Sequence, residues 1–170
     1  MHYWLCYGPQ EKWQATVAYS RWGVKSRIHN GRMSAAARAW ESVMPGDVLV
    51  FKLDDGKLYG WARVKATTDS ELRPIFPKEL AEDAVIYDRR ILFDFIQNRS
   101  LDGREPVKFD ALEALKGTAL SEIEPILAET AIAAMREAWE SQAKSEFIQL
   151  LALHLRRDYQ PEAALAGFSQ

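Results

Sequence analysis

The sequence predicts an α+β domain built on a strongly curved mixed sheet or small barrel, with helices gathered at its C-terminal end. Two observations carry that expectation. Residues 1–108 are dominated by short apolar runs bounded by turn residues, whereas from about Ile126 to Arg157 no Gly or Pro occurs and apolar residues recur at helical spacing. Strands first and helices last is the order of an α+β fold, not of alternating βαβ units. The chain has one-domain length, 170 residues, and 48% of them are hydrophobic, enough for a sizeable core.

Taken in order, His2-Tyr3-Trp4-Leu5-Cys6-Tyr7 is aromatic and apolar and stops at Gly8-Pro9, which reads as a buried first strand. Pro9 suits the first turn of a helix, and Gln10 to Tyr19 places Trp13 and Val17 on one helical face. Trp22 to Gly31 has no period and contains Asn30-Gly31, so a loop is expected there. Ser34 is positioned to cap an alanine-rich helix running to Ser42. Pro45-Gly46-Asp47 is a turn feeding the strand Val48 to Phe51. Asp54-Asp55-Gly56 is a hairpin signal, because Asp-Gly accepts the positive φ angles of tight turns, and the return strand is Leu58 to Lys65.

Thr67 to Glu82 reads as a polar connection around Pro74-Ile75-Phe76-Pro77. Val85-Ile86-Tyr87 and Ile91 to Ile96 read as one further strand, interrupted by Asp88-Arg89-Arg90, and Gln97 to Pro106 as a loop. Phe109, Leu112 and Leu115 mark a short helix ended by Gly117. Leu127, Ile132, Met135, Trp139, Ala143, Phe147 and Leu151 then form the apolar stripe of one amphipathic helix, or of two in close succession. The expected organisation is a domain over residues 1–125 and a helical extension over 126–170 packed on it, a monomer being preferred to a homodimer.

Charge is the most informative feature. The whole chain has 22 basic and 24 acidic side chains, yet Arg21, Lys25, Arg27, Arg32 and Arg38 lie in one stretch without a single Asp or Glu. Cations beside a semi-rigid aromatic such as Trp22 are what a protein needs to hold a phosphate backbone and a base together. The plain alternative is a solvated arginine-rich loop. Residues 1–108 carry a net charge of +3 and residues 109–170 a net −5, so a polyanion should meet the N-terminal two-thirds. Arg89 and Arg90 are open to two readings, phosphate contact or salt bridges with Asp88 or Asp94.

Cys6 is the only cysteine, which excludes an internal disulfide and points to a cytoplasmic protein. No membrane-spanning stretch or leader is expected. His2, His29 and His154 are scattered, nothing has metal-ligand spacing, and no phosphate loop or nucleophile elbow is present. No cofactor, metal or catalytic residue is therefore expected. The nearest enzyme reading would use Tyr87, Asp88 and Arg89.

The order of motifs resembles the EVE domain family, part of the PUA-like group that also contains the YTH readers of methylated adenine. The residues that carry the resemblance are Tyr3-Trp4-Leu5-Cys6, Trp13, Trp22-Gly23-Val24, Pro45-Gly46-Asp47 with the strand after it, Tyr59 to Val64, Ile75-Phe76, and Tyr87 to Ile91. The resemblance covers roughly residues 2–125. The resemblance implies a PUA-like pseudo-barrel and a non-enzymatic nucleic-acid module, for DNA or RNA, that accepts a flipped, methylated base in an aromatic pocket. On that template Trp22 is one wall and Phe76 a second. Tyr7, Gly8, Pro9, Gly23, Val24 and Ser26 flank the mouth, and Asn30 supplies an amide to the base edge. Arg21, Lys25, Arg27, Arg32, Arg89 and Arg90 are the candidate phosphate contacts. The alternative is a small-molecule or nucleotide sensor, or a protein-interaction domain, on the same scaffold. Core packing is the competing role for every tryptophan, Trp22 included.

Overall fold

The structure is a computed structural model and describes residues 1–115 and 118–158. In chain order the strands are β1 (Tyr3–Gly8), β2 (Arg21–Val24), β3 (Val48–Leu53), β4 (Lys57–Thr68), β5 (Arg89–Asn98), β6 (Val107–Lys108) and β7 (Leu120–Ile123). The helices are α1 (Trp13–Tyr19), α2 (Ala35–Trp40), α3 (Pro77–Glu82), α4 (Arg99–Asp102) and α5 (Pro125–Asp158). Among the described residues the strands form one curled mixed sheet in the order β2-β5-β4-β3-β1-β7, with β6 added beside β4. β1 and β3 run parallel, and every other pairing is antiparallel.

Local chemistry explains most of these elements. Gly56 takes φ 78° in the Asp55-Gly56 turn, which joins β3 to β4 as a hairpin. The register slips between Trp61 and Ala62 and again between Val64 and Ala66, and such bulges let the long β4 bend around the core. The Ser34 hydroxyl accepts from the Ala37 N–H and caps α2. Asp47 accepts from the His2 N–H, the Trp4 indole and the Met44 N–H, tying the starts of β1 and β3 together. Burial acts to raise the Asp47 pKa, but these donors outweigh it and hold the carboxyl below its ordinary value.

Several expectations are corrected. Arg21–Val24 is a strand, not part of a loop, and pairs with β5 from Arg21↔Leu92 to Val24↔Arg89. The expected polar connection contains α3, which begins at Pro77 with Glu79 in its first turn. Val85-Ile86-Tyr87 lies outside the strand that begins at Arg89. The expected loop from Gln97 holds the end of β5 and the short α4. The segment from Pro125 is a single helix. Gly117, the expected end of the short helix after Phe109, lies outside the described residues.

The core centres on Phe51, whose ring is met by Trp13, Trp22, Phe93 and Phe95 at centroid distances of 5.1 to 5.8 Å. On β1, Trp4 and Cys6 face this core, while Tyr3, on the other face of the strand, donates its hydroxyl to Glu129 of α5. Ala128, Ala131, Ile132 and Met135 of α5 are buried. The chain divides into a first compact unit of Met1–Met135 and a second beginning at Arg136. In the second, Trp139 is buried, whereas Phe147, Ile148, Leu150, Leu151, Leu153 and Leu155 are exposed. Phe147 and Leu151 of the expected stripe are therefore not covered. Among the described residues no helix is long and apolar enough to cross a membrane.

Candidate nucleic-acid interface

β2 sits at one end of the sheet path and its alternation sets the site. Trp22 and Val24 point into the core, and Gly23 faces the loops around α3. A Cβ at Gly23 would lie 2.6 Å from the Tyr87 Cβ and 2.9 Å from the Phe76 ring, so only glycine lets both aromatics close over this strand. Glu79 holds them there. Its buried carboxylate accepts from the backbone N–H groups of Ile75, Phe76, Ile86 and Tyr87 and pairs with Arg90 at 3.0 Å. Burial alone would raise the Glu79 pKa, but the four N–H donors hold it below the ordinary glutamate value.

Trp22, Phe76 and Tyr87 form three walls of an aromatic cage, and the cage is filled from within. The Lys12 ammonium lies 3.9 Å from the Tyr87 ring centroid, 4.2 Å from that of Trp22 and 5.1 Å from that of Phe76. It also donates to the Gly23 carbonyl at 2.5 Å. Lys12 is only 3% exposed. Burial pulls its pKa down to about 7; the Lys25 ammonium adds to that and the Glu79 carboxylate opposes it.

The exposure expected of two cage walls is thereby corrected. Trp22 and Phe76 are both fully buried, and the Trp22 indole donates to the Ala119 carbonyl. That carbonyl also accepts from the Tyr7 N–H, so one oxygen bridges β1 and β2 across the open seam of the half-barrel. Gly8 lies against the Trp22 ring, where an added Cβ would sit 3.0 Å from it, and so belongs to the inner wall and not to a mouth.

The open space lies beside the cage. A cavity of about 280 Å³ is lined by Lys25, Ile28, Ser34, Ala35, Ala36, Tyr87, Thr118 and Ala119. Tyr87 is the wall common to cage and cavity. The basic loop runs beside it: Lys25, Arg27 and Arg32 are exposed, and Lys25 Nζ lies 6.0 Å from the Tyr87 ring centroid. Asp88 accepts from the Ser26 N–H and fixes the start of that loop. Asn30 is exposed and turns back on its own loop, its amide oxygen accepting from the Arg32 N–H. Ser26 and Asn30 do not line the cavity, nor do Pro9 and Val24, the latter lying in the core.

Of the expected phosphate contacts Arg90 is corrected, and Arg21 and Arg89 are found in ion pairs. Arg90 is buried and bound to Glu79 and Glu71. Arg21 pairs with Glu71 at 3.0 Å, and Arg89 with Asp69 at 2.6 Å. Burial takes Arg90 out of reach of a phosphate, whereas a phosphate at Arg21 or Arg89 would have to compete with a carboxylate. The partners also differ from the expected Asp88 and Asp94. The residues that the sequence does not single out are Lys12, Glu79, Thr118 and Ala119, while Tyr87 enters there as part of a strand, of the family resemblance and of the enzyme reading, but not as a wall of the pocket.

No protein-family model matches the sequence, and no curated protein matches it. Among solved structures, the chain is similar to "YTH domain-containing protein mmi1 and RNA complex", with a TM-score of 0.58 and 10% identity over 84% of this chain and 86% of that one. Two others are the Pho92 YTH domain in complex with m6A (TM-score 0.44, 16% identity, 78% of this chain and 84% of that one) and Rpa0253 from Rhodopseudomonas palustris (TM-score 0.42, 10% identity, 82% and 92%). At these identities the likeness is one of fold: a curled mixed sheet with flanking helices and a long C-terminal helix, the YTH-like α+β architecture.

Proposed function

We propose that the chain is a non-enzymatic nucleic-acid-binding module, of the EVE type within the PUA-like group, that takes one extruded, methylated base of DNA or RNA into the cavity beside Tyr87. The observation that carries this reading is the position of that cavity, about 280 Å³ and mostly apolar, at the foot of the exposed basic loop. Its aromatic wall gives a base a π face, and its Ile28, Ala35 and Ala36 surfaces suit a methyl group better than water does. Lys25, Arg27 and Arg32 are exposed cations of that loop, none of them in an ion pair among the described residues, and hold the flanking phosphates. The resemblance in motif order and the likeness in fold to an RNA-bound YTH-domain protein support it.

Binding of labelled single- and double-stranded oligonucleotides, methylated and unmodified, measured by fluorescence anisotropy against salt, tests the reading. The wild type should bind with a steep salt dependence. Replacing Lys25, Arg27 and Arg32 together with Ala should weaken every oligonucleotide alike and flatten the slope by about 2 (roughly 0.7–0.9 per lost contact). An unchanged slope would reduce the basic stretch to a solvated loop. Tight binding of a free nucleoside, with no gain from flanking phosphates, would instead establish a small-molecule sensor.

A further inference from the structure

We propose that the cage around Lys12 is a cation site, and that the base this protein selects is a positively charged N-methylated purine whose charged edge displaces the Lys12 ammonium. The proposal rests on the base-binding reading above and names the class of base.

A lysine in the turn before a short helix ordinarily keeps its ammonium in water. Here the ammonium is buried, and among the described residues no carboxylate forms an ion pair with it. What replaces water is three π faces at 3.9 to 5.1 Å and the Gly23 carbonyl. That is the arrangement by which proteins recognise alkylammonium groups, and desolvation strengthens it. A neutral methylated base would fill the same space without the attraction between charge and ring quadrupole.

Burial costs any cation in the cage its hydration, and the groups near Lys12 decide what offsets that cost. Cys6 on β1 is a buried thiol whose pKa burial raises, so it stays neutral. The Glu79 carboxylate on α3 is already paired with Arg90, and Lys25 adds positive charge from beyond β2. The π faces and the Gly23 carbonyl, with the Glu79 carboxylate at longer range, are thus the groups that reward a cation in the cage.

The neighbouring cavity makes the exchange geometrically direct. It touches the cage at Tyr87 and at Ala119, the residue whose carbonyl takes the Trp22 indole N–H. The purine ring occupies the cavity and its alkylated edge points past the Tyr87 ring. Tyr87 is only half-buried, and its rotation opens the partition. The displaced Lys12 leaves toward solvent by the same opening.

The test compares, at about pH 6, single-stranded oligonucleotides carrying 7-methylguanine or 1-methyladenine, which are cationic there, with ones carrying N6-methyladenine or unmodified adenine. The wild type should favour the cationic pair by about tenfold or more, and Lys12→Ala, which empties the cage, should widen that ratio. In a thermal melt of Lys12→Ala, tetramethylammonium should raise the midpoint, and its neutral isostere tert-butanol should not. Equal affinities for cationic and neutral methylated bases in both proteins, or equal shifts with the two small molecules, would overturn the proposal. Should Lys12→Ala not fold, Tyr87→Leu in the otherwise native chain reads the same point: it keeps an apolar wall and removes the nearest π face, so the ratio should fall towards one. A ratio that survives Tyr87→Leu would also overturn it. If no oligonucleotide binds while the ammonium-specific shift persists, the base-binding reading fails, and the base as ligand with it, while the cation site stands.

Discussion

Glu79 is the side chain from which both loops of the cage hang. Its two oxygens take four backbone N–H groups and the Arg90 guanidinium, so every acceptor position is used. Glu79→Gln would remove the charge opposite Arg90 and turn an NH2 toward N–H donors. Breaking a buried pair of this kind costs about 3–5 kcal/mol, and urea denaturation should show a loss of that order. The sign with pH follows from the lowered carboxyl pKa: the stabilisation is complete above the ordinary glutamate value of 4.5 and is lost as pH falls through the lower folded value. Lys12 gives a slope of the same sign at higher pH. Between its folded value of about 7 and its unfolded value of 10.5 the unfolded chain binds the extra proton, so stability rises with pH. Cys6, kept protonated by burial, offsets the trend above its ordinary pKa of 9.0, leaving pH 7 to 9 as the window. Wild type should gain stability across it at up to about 1.4 kcal/mol per pH unit, and Lys12→Met should lose that slope. A wild-type slope equal to that of Lys12→Met in chemical denaturation would mean that the ammonium titrates at its ordinary value.

At the scale of elements, β2 and the α3 loop form one device. Gly23→Ala would drive a methyl into the Tyr87 Cβ and the Phe76 ring. Overpacking of this kind costs about 1–3 kcal/mol, and the loop rather than the sheet should yield. We expect a native far-ultraviolet circular dichroism spectrum with base selectivity lost; retained selectivity would show that the cage tolerates displacement of Tyr87. The elements legible in the sequence were those with local signals: the apolar β1, the Asp-Gly hairpin, the Ser34 cap and the unbroken α5. β2 was hidden because four residues with a central glycine are stabilised by pairing with β5, some seventy positions away. Its clue was the alternation Arg21, Trp22, Gly23, Val24, Lys25, which puts Trp22 inward. α3 had a readable start in Pro77 and Glu79, outweighed by the polar residues around it. The basic loop was legible because charge needs no fold to be counted. The cage was legible in two of its walls but not in its occupant, since nothing in Gln10-Glu11-Lys12-Trp13 distinguishes a lysine that turns inward.

On the scale of the whole molecule, α5 separates into a part the sheet unit requires and a part it does not. Ala128, Ala131, Ile132 and Met135 are buried, and Glu129 receives the Tyr3 hydroxyl. A chain ending at residue 125 loses all five. Fully burying even one side chain of the size of Ile132 or Met135 is worth about 1.5–3 kcal/mol, a large share of a marginal total. That truncation should therefore unfold or aggregate although it contains every residue of the cage and cavity. A chain ending at residue 144 keeps these contacts and Trp139, and removes Phe147, Ile148, Leu150, Leu151, Leu153 and Leu155, which are 46 to 66% exposed. Exposed apolar side chains in such number favour association, so their loss should reduce it. The shorter chain should match the full one in melting midpoint and oligonucleotide affinity, and sedimentation velocity should show less concentration dependence. A marked fall in midpoint on cutting at 144 would show that the last turns of α5 are covered in the working protein and contribute to its stability.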